Sequence, residues 1–192
     1  MSRTIITGID IRPDRVICLI AHELEIVNKG TFLQLIGHGI TEFPIDCVDP
    51  FKYPEEELEK YIRQSIDKAE IESNVSVKDA YISIYDHNDS IYIDQEIELG
   101  NEVVTDKMTN SFFKQREFKS LYSNVKEPLH SFPISHRINK LKSVSDPIGM
   151  RVSNLRTRWH IIMSDSDRLN KLRSIFENLQ VSVRQFIASA YT

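Results

Sequence analysis

Ile5-Ile6-Thr7-Gly8-Ile9-Asp10-Ile11, then Arg12-Pro13-Asp14, then Arg15-Val16-Ile17-Cys18-Leu19-Ile20-Ala21: two runs rich in β-branched residues, joined by a tripeptide with turn chemistry, decide the fold of this chain. β-branched side chains pack well on a pleated surface, and Pro beside Asp favours a turn, so the stretch predicts a β-hairpin. Asn28-Lys29-Gly30 is a second turn signal, and Phe32-Leu33-Gln34-Leu35-Ile36-Gly37-His38-Gly39-Ile40 predicts a third strand. A helix follows. Pro54 suits its first position, and Glu55, Glu56 and Glu57 place negative charge at the positive end of its dipole. Leu58, Tyr61, Ile62, Ile66 and Ala69 recur at helical spacing, with Glu59, Lys60, Arg63, Asp67 and Lys68 on the other face. Val77–Tyr85, apolar at Ala80, Ile82 and Ile84, predicts a fourth strand. The order is β-β-β-α-β.

A second block runs over 86–163. Ser90–Leu99 alternates through Ile91, Ile93, Ile97 and Leu99 and predicts a strand. Val104-Thr105-Asp106 opens a helix carrying Met108, Phe112 and Phe113, with Phe118 and Leu121 beyond as further core. Leu129–Ile138 and Leu155–Ile162 read as strands separated by the turn Asp146-Pro147-Ile148-Gly149, giving strand-helix-strand-strand. Tyr85, Tyr92 and Trp159 are expected to pack within or beside that sheet. Over 164–192, Ser164-Asp165-Ser166 caps a helix with Leu169, Leu172, Phe176 and Leu179 on one face, and Val181–Ala188 is a closing strand.

The 192 residues carry a formal charge of −4, with 41% apolar and 27% charged side chains, enough for a real core. An acidic balance disfavours nucleic acid and anionic lipid as partners, because both demand Lys/Arg-rich surfaces. Two cysteines, Cys18 and Cys47, are too few for a disulfide scaffold and lack the spacing of a metal knuckle; Cys18, in an apolar run, reads as a buried thiol. The six histidines, His22, His38, His87, His130, His136 and His160, show no ligand spacing, so no metal is expected. No Ser/His/Asp or Cys/His signature stands out, and no catalytic residue is assigned. No apolar run approaches the roughly 20 residues of a membrane span, and the opening lacks a leader pattern, so the expected location is the cytoplasm.

The opening hairpin, third strand, helix and fourth strand resemble the start of the actin/Hsp70/sugar-kinase superfold. Within it, the details resemble the bacterial cell-division FtsA family. Asp146-Pro147-Ile148-Gly149-Met150-Arg151-Val152 is similar to that family's "(N/D)PVG(L/M)xGxR(L/M)" stretch, Trp159-His160-Ile161-Ile162 to its "xVHLIT" strand, and Gln180–Thr192 to "GLxVDxLxxxxLASAxAVLT". The collinear matches cover the chain. The resemblance implies an α/β fold: a partial actin-like (ribonuclease-H-like) domain over 1–85 and 164–192, with an inserted strand-helix-strand-strand subdomain of the 1C type over 86–163.

The departures from the family are specific. Its first phosphate loop reads roughly "GxDIGTxKV"; here Gly8-Ile9-Asp10-Ile11-Arg12-Pro13-Asp14-Arg15-Val16 occupies the place. Arg12 brings a side chain where backbone must approach phosphate, Pro13 has no N–H to donate, and Asp14 adds negative charge. Gly8, Asp10, Arg12 and Arg15 are therefore vestigial loop positions, and no cofactor is expected. The family's "SRGxxKG" loop after the third strand is absent, and its second phosphate loop, "DIGGGT(T/S)", would follow directly after Thr192. A low glycine count of 6 fits natural divergence. The expectation is a non-enzymatic cell-division protein without a membrane anchor of its own, working by protein contacts at the division site, with full-length FtsA one such partner and an oligomer one such state. The family's 1C subdomain mediates such contacts, which makes the basic residues Arg137, Lys140, Lys142, Arg151, Arg156 and Arg158 the candidate interaction surface. The alternative is a nucleotide-binding ATPase half, taking ATP with Mg²⁺, that another chain completes. A pilus-assembly relative of the same superfold is a third reading, disfavoured by the Asp146–Arg151 stretch.

Overall fold

The computed structural model describes residues 4–26, 30–44, 47, 49–85, 89–110, 125–139 and 142–189. The chain divides into two compact units, Met1–Asp86 with Asp167–Thr192, and His87–Ser166.

The first unit is a five-stranded sheet of β1 (Thr4–Ile11), β2 (Arg15–Ile26), β3 (Gly30–Glu42), β4 (Asp79–Ile84) and β9 (Ser182–Ala188), in the order β3-β2-β1-β4-β9. β1, β2 and β3 pair antiparallel, because the turns between them are short. β4 pairs parallel with both β1 and β9, and such neighbours need crossovers. One crossover is α1 (Glu55–Ser73). The other holds the whole second unit and α3 (Ser166–Asn178). This is the actin-like, ribonuclease-H-like order. β2 runs past the apolar segment that announces it, to Ile26, because the far half of the hairpin continues through Glu23, paired with Leu33, and Glu25, paired with Thr31.

Ile9, Ile11, Val16, Cys18, Ile20, Ile82 and Ile84 of the sheet, Leu58, Ile62, Ile66 and Ala69 of α1 and Leu169, Leu172, Ile175 and Phe176 of α3 are all buried. Pro54 is the N-cap of α1 rather than its first residue, and Asn74, at φ 55°, closes the helix in the left-handed region. α1 lies almost against β3. A Cβ on Gly39 would meet the carbonyl oxygen of Ser65 at 1.9 Å, and one on Gly37 the carbonyl oxygen of Ala69 at 2.5 Å. Ser65, buried on the helix, donates its hydroxyl toward the Gly39 and Val16 carbonyls at 2.7 and 3.1 Å.

α3 is tied to the start of α1 and the short 3-10 turn before it, Pro50–Lys52. Arg168 pairs with Asp49 at 2.8 Å, Lys171 donates to the Phe51 carbonyl at 2.9 Å and to that of Tyr53, and the Ser174 hydroxyl donates to Glu55 at 2.5 Å. Burial lowers the Lys171 pKa, while Glu55 and Asp49 oppose that shift.

The second unit is an antiparallel sheet of β5 (Asp89–Val103), β6 (Lys126–Ile138), β7 (Lys142–Val144) and β8 (Arg151–Asp165), in the order β5-β8-β6-β7. β7 adds a strand to the expected strand-helix-strand-strand order; at three residues it has no apolar periodicity to announce it. α2 is described over Asp106–Asn110, and the expected core residues Phe112, Phe113, Phe118 and Leu121 lie outside the described residues. Met108 packs on a cluster of Leu99, Val104, Ile138, Val152 and Leu155, while Trp159, Ile161 and Met163 form another with Ile91 and Ile93. Trp159 is core as expected, but Tyr85 and Tyr92 are exposed. The turn after β7 is built by local bonds: the Ile148 N–H donates to the Asp146 carboxylate at 2.9 Å and the Met150 N–H to the Pro147 carbonyl at 3.0 Å. Gly149, at φ 81°, donates to the Val104 carbonyl at 2.9 Å, and Val104 returns a bond to the Met150 carbonyl at 2.9 Å. Only glycine takes that φ at no steric cost.

Gly39→Ala is expected to destabilise the protein at the upper end of the overpacking range, about 3 kcal/mol, because its obstacle is helix backbone. Gly8→Ala, whose Cβ would meet nothing within 4 Å, should stay within about 0.5 kcal/mol of the parent. Urea melts of the two variants check the contrast. Burial pushes the Cys18 thiol up to about 12, which keeps it in its unreactive neutral form, whereas Cys47 is partly exposed. Ellman's reagent at pH 8 should titrate one thiol quickly in the native protein and both in denaturant.

Candidate functional site

Of the four positions expected to mark a former phosphate loop, Arg12 and Arg15 flank the β1–β2 turn, while Gly8 and Asp10 lie on β1 before it. The Arg12 N–H donates to the Arg15 carbonyl at 2.9 Å, closing the hairpin, and the Phe43 N–H donates to the Asp14 carbonyl at 2.8 Å. The Arg12 side chain pairs with Asp10 at 2.5 Å, and Arg15 with Asp14 at 2.6 Å. The Arg15 hydrogen bond holds the Asp14 carboxyl below its ordinary value, and the same contact raises Arg15. Each loop guanidinium thus already has a carboxylate. Pro13 offers no N–H, so the turn presents no run of unused amides of the kind that forms an anion nest.

Beside this turn, the face of the sheet carrying Ile6, Gly8, Ile17, Leu19, Tyr81 and Ile187 lines a cavity of about 380 Å³. Two buried oxygens in its lining, Asp10 Oδ1 and Ser83 Oγ, have no hydrogen-bond partner among the described residues. Among those residues no group of His, Cys, Asp or Glu is placed to hold a metal ion, and no helix is long and apolar enough to cross a membrane.

The candidate interaction residues split by position. Arg137, Arg156 and Arg158 converge on the solvent face of the second unit's sheet. The register makes this happen. Directly paired residues share a face, so Arg156 stands between Glu96 of β5 and Arg137 of β6, and Arg158 between Asp94 and Ser135. Arg137 continues to Ser143 of β7. The three arginines, with Asp94, Ser135, His136 and Ser143, line a polar concavity of about 140 Å³. Asp94 accepts from Arg156 at 2.8 Å and lies 4.0 Å from Arg158. Glu96 is engaged by the Asn154 amide at 2.7 Å, and Arg137 makes no ion pair among the described residues. Arg158 also lies over the Tyr92 ring, 5.5 Å from its centroid, and Tyr92 stacks on His160 at 4.9 Å.

Arg151 belongs elsewhere, at the start of β8, where its guanidinium donates to the Asn101 carbonyl at 2.9 Å. Lys142 is placed by backbone pairing with Ile138, and Lys140 lies outside the described residues. Sequence reasoning missed Tyr92, Asp94, Ser135, Ser143 and His160 as members of this face. For Tyr92 and Asp94 the signal was present, because they alternate with the inward Ile91 and Ile93.

No protein-family model matches this chain. Among curated proteins, it is 25% identical over 195 residues to the cell division protein FtsA of Buchnera aphidicola subsp. Schizaphis graminum, a match that takes in 98% of this chain and 44% of the relative. The FtsA of Buchnera aphidicola subsp. Acyrthosiphon pisum is 23% identical over 199 residues, again 98% of this chain and 44% of the relative. A solved structure titled as a PilM-PilN type IV pilus biogenesis complex superposes with a TM-score of 0.47 at 6% identity, over 97% of this chain and 48% of that one. The chain spans less than half the length of the FtsA relatives it matches. It is thus an actin-like α/β chain, similar along nearly its whole length to the N-terminal part of the cell-division protein FtsA.

Proposed function

We propose that this chain is a non-enzymatic, FtsA-like cell-division protein that acts through protein–protein contacts made by its inserted second unit. The observation that carries the reading is the pairing of FtsA similarity over 98% of the chain with a first loop whose groups are already used. A phosphate cradle needs unspent N–H donors and net positive charge. At this turn Arg12 bonds Arg15 through its N–H, Pro13 has none, and Asp10 and Asp14 answer Arg12 and Arg15. The residues present therefore do not suit ATP with Mg²⁺, and no catalytic step is assigned. The contact surface is the Arg137, Arg156 and Arg158 face, exposed and set on a rigid sheet. Its partners are proteins of the division machinery, full-length FtsA among them, and they bring this cytoplasmic chain to the division site.

A second reading, a nucleotide-binding half completed by another chain, draws on one observation. Asp10 keeps an unpartnered buried carboxylate oxygen beside a glycine, Gly8, whose Cβ direction is open.

Calorimetry with millimolar ATP and Mg²⁺ separates the two. No heat is expected; saturable heat abolished by Asp10→Asn would replace the first reading with the second. The tagged full chain should also co-purify with division proteins and collect at the division site. A diffuse signal with no division protein retained would overturn the interaction reading.

A further inference from the structure

We infer that the solvent face of the second unit's sheet is a docking site for an acidic peptide segment of a partner protein, whose carboxylates bridge Arg137 and Arg156. This rests on the interaction reading above and assigns the partner's chemistry.

Arg137 and Arg156 are direct cross-strand partners, and like charges so opposed repel. Nothing in the packing requires the arrangement, since both side chains are exposed. The nearby carboxylates do not relieve it evenly: Asp94 takes Arg156 and reaches toward Arg158, and Glu96 is held by Asn154. Arg137 is left as a guanidinium with no ion pair among the described residues. A carboxylate placed between the two guanidiniums would accept from both, and the planar fork of arginine suits that bidentate geometry.

The rest of the face argues for a peptide rather than a lone ion. Arg158 is ordered over Tyr92, and Tyr92 stacks on His160, so a flat aromatic shelf adjoins the charged concavity. Tyr92 is 57% exposed, far more than a sheet aromatic needs for packing. Arginine beside exposed tyrosine is the composition of energetic hot spots in protein interfaces. Phosphate alone would use the guanidiniums and leave the shelf bare.

The test uses the full chain and a fluorescein-labelled peptide of six glutamates ending in tryptophan, followed by fluorescence polarisation. Saturable binding at 50 mM salt, weakened by 300 mM salt, is expected. Arg137→Glu should weaken it at least tenfold. Lys60→Glu, an equal charge change on the exposed face of α1, should leave it within twofold. Thermal melts of both variants establish that they fold. The assignment is overturned by absence of saturable binding, by equal loss in the two variants, or by inorganic pyrophosphate binding where the peptide does not. If the peptide fails but division proteins still co-purify with the chain, the acidic-partner assignment falls and the interaction reading stands. Peptide binding without such co-purification supports the site and removes the division-protein reading.

Discussion

The first unit depends on one close approach, the backbone of α1 laid on the backbone of β3 at Gly37 and Gly39. At this separation no side chain fits between them, and the Ser65 hydroxyl stitches helix to sheet by donating toward carbonyls on both β2 and β3. The contact sets the height of α1 above the sheet. At that height Leu58, Ile62 and Ile66 on α1, and Ile9, Val16 and Ile20 on the sheet, are all buried. It also sets where the N-terminus of α1 sits, and α3 is fastened there through Asp49, the Phe51 carbonyl and Glu55. A chain interrupted by a complete second unit between β4 and α3 recovers its path through these long-range bonds. They bring residues more than a hundred positions apart into register before β9 pairs with β4.

The two charged regions use the same residue types to opposite ends. At the β1–β2 turn each arginine faces a carboxylate one or two positions away, so the turn is electrostatically closed upon itself. On the second unit's sheet the arginines come from different strands, and their carboxylates are shared unequally. The difference follows from how each is built. A hairpin turn places sequence neighbours together, so its charges balance locally. A sheet face collects residues by register, and its balance is a property of the fold.

That distinction also explains what was legible in the sequence. The hairpin, the third strand, α1 and the fourth strand could be read because apolar periodicity and turn residues are local signals. The far end of β2 could not, since Leu24 and Ile26 give too short an alternation with Glu23 and Glu25 to announce a strand and pair with Phe32 and Gly30 as the hairpin continues. Helical spacing with Leu58 and Ile62 puts Ser65 on the inner face of α1, but its bonds to the Val16 and Gly39 carbonyls could not be read, because they follow from glycines on another element. β7 is too short to have a period. The Arg137–Arg158 stretch was visible as basic, but the sequence treats Arg151, Arg156 and Arg158 alike. Pairing with Glu96 and Arg137 sets Arg156 into the concavity, while a break in register between Glu98 and Glu102 carries Arg151 away to Asn101.

An exposed pair of like charges is cheap to keep in water, where solvent and salt screen it, which is why Arg137 opposite Arg156 can persist although only Arg156 is answered by a carboxylate, Asp94. The same pair becomes unfavourable as soon as an uncharged surface covers it and removes the solvent. If an acidic segment docks here as proposed, it would be favoured twice, once by attraction and once by relief of the repulsion, and a neutral or basic one would be disfavoured. On that proposal selectivity would need no specialised pocket, because register alone sets the two guanidiniums opposite each other.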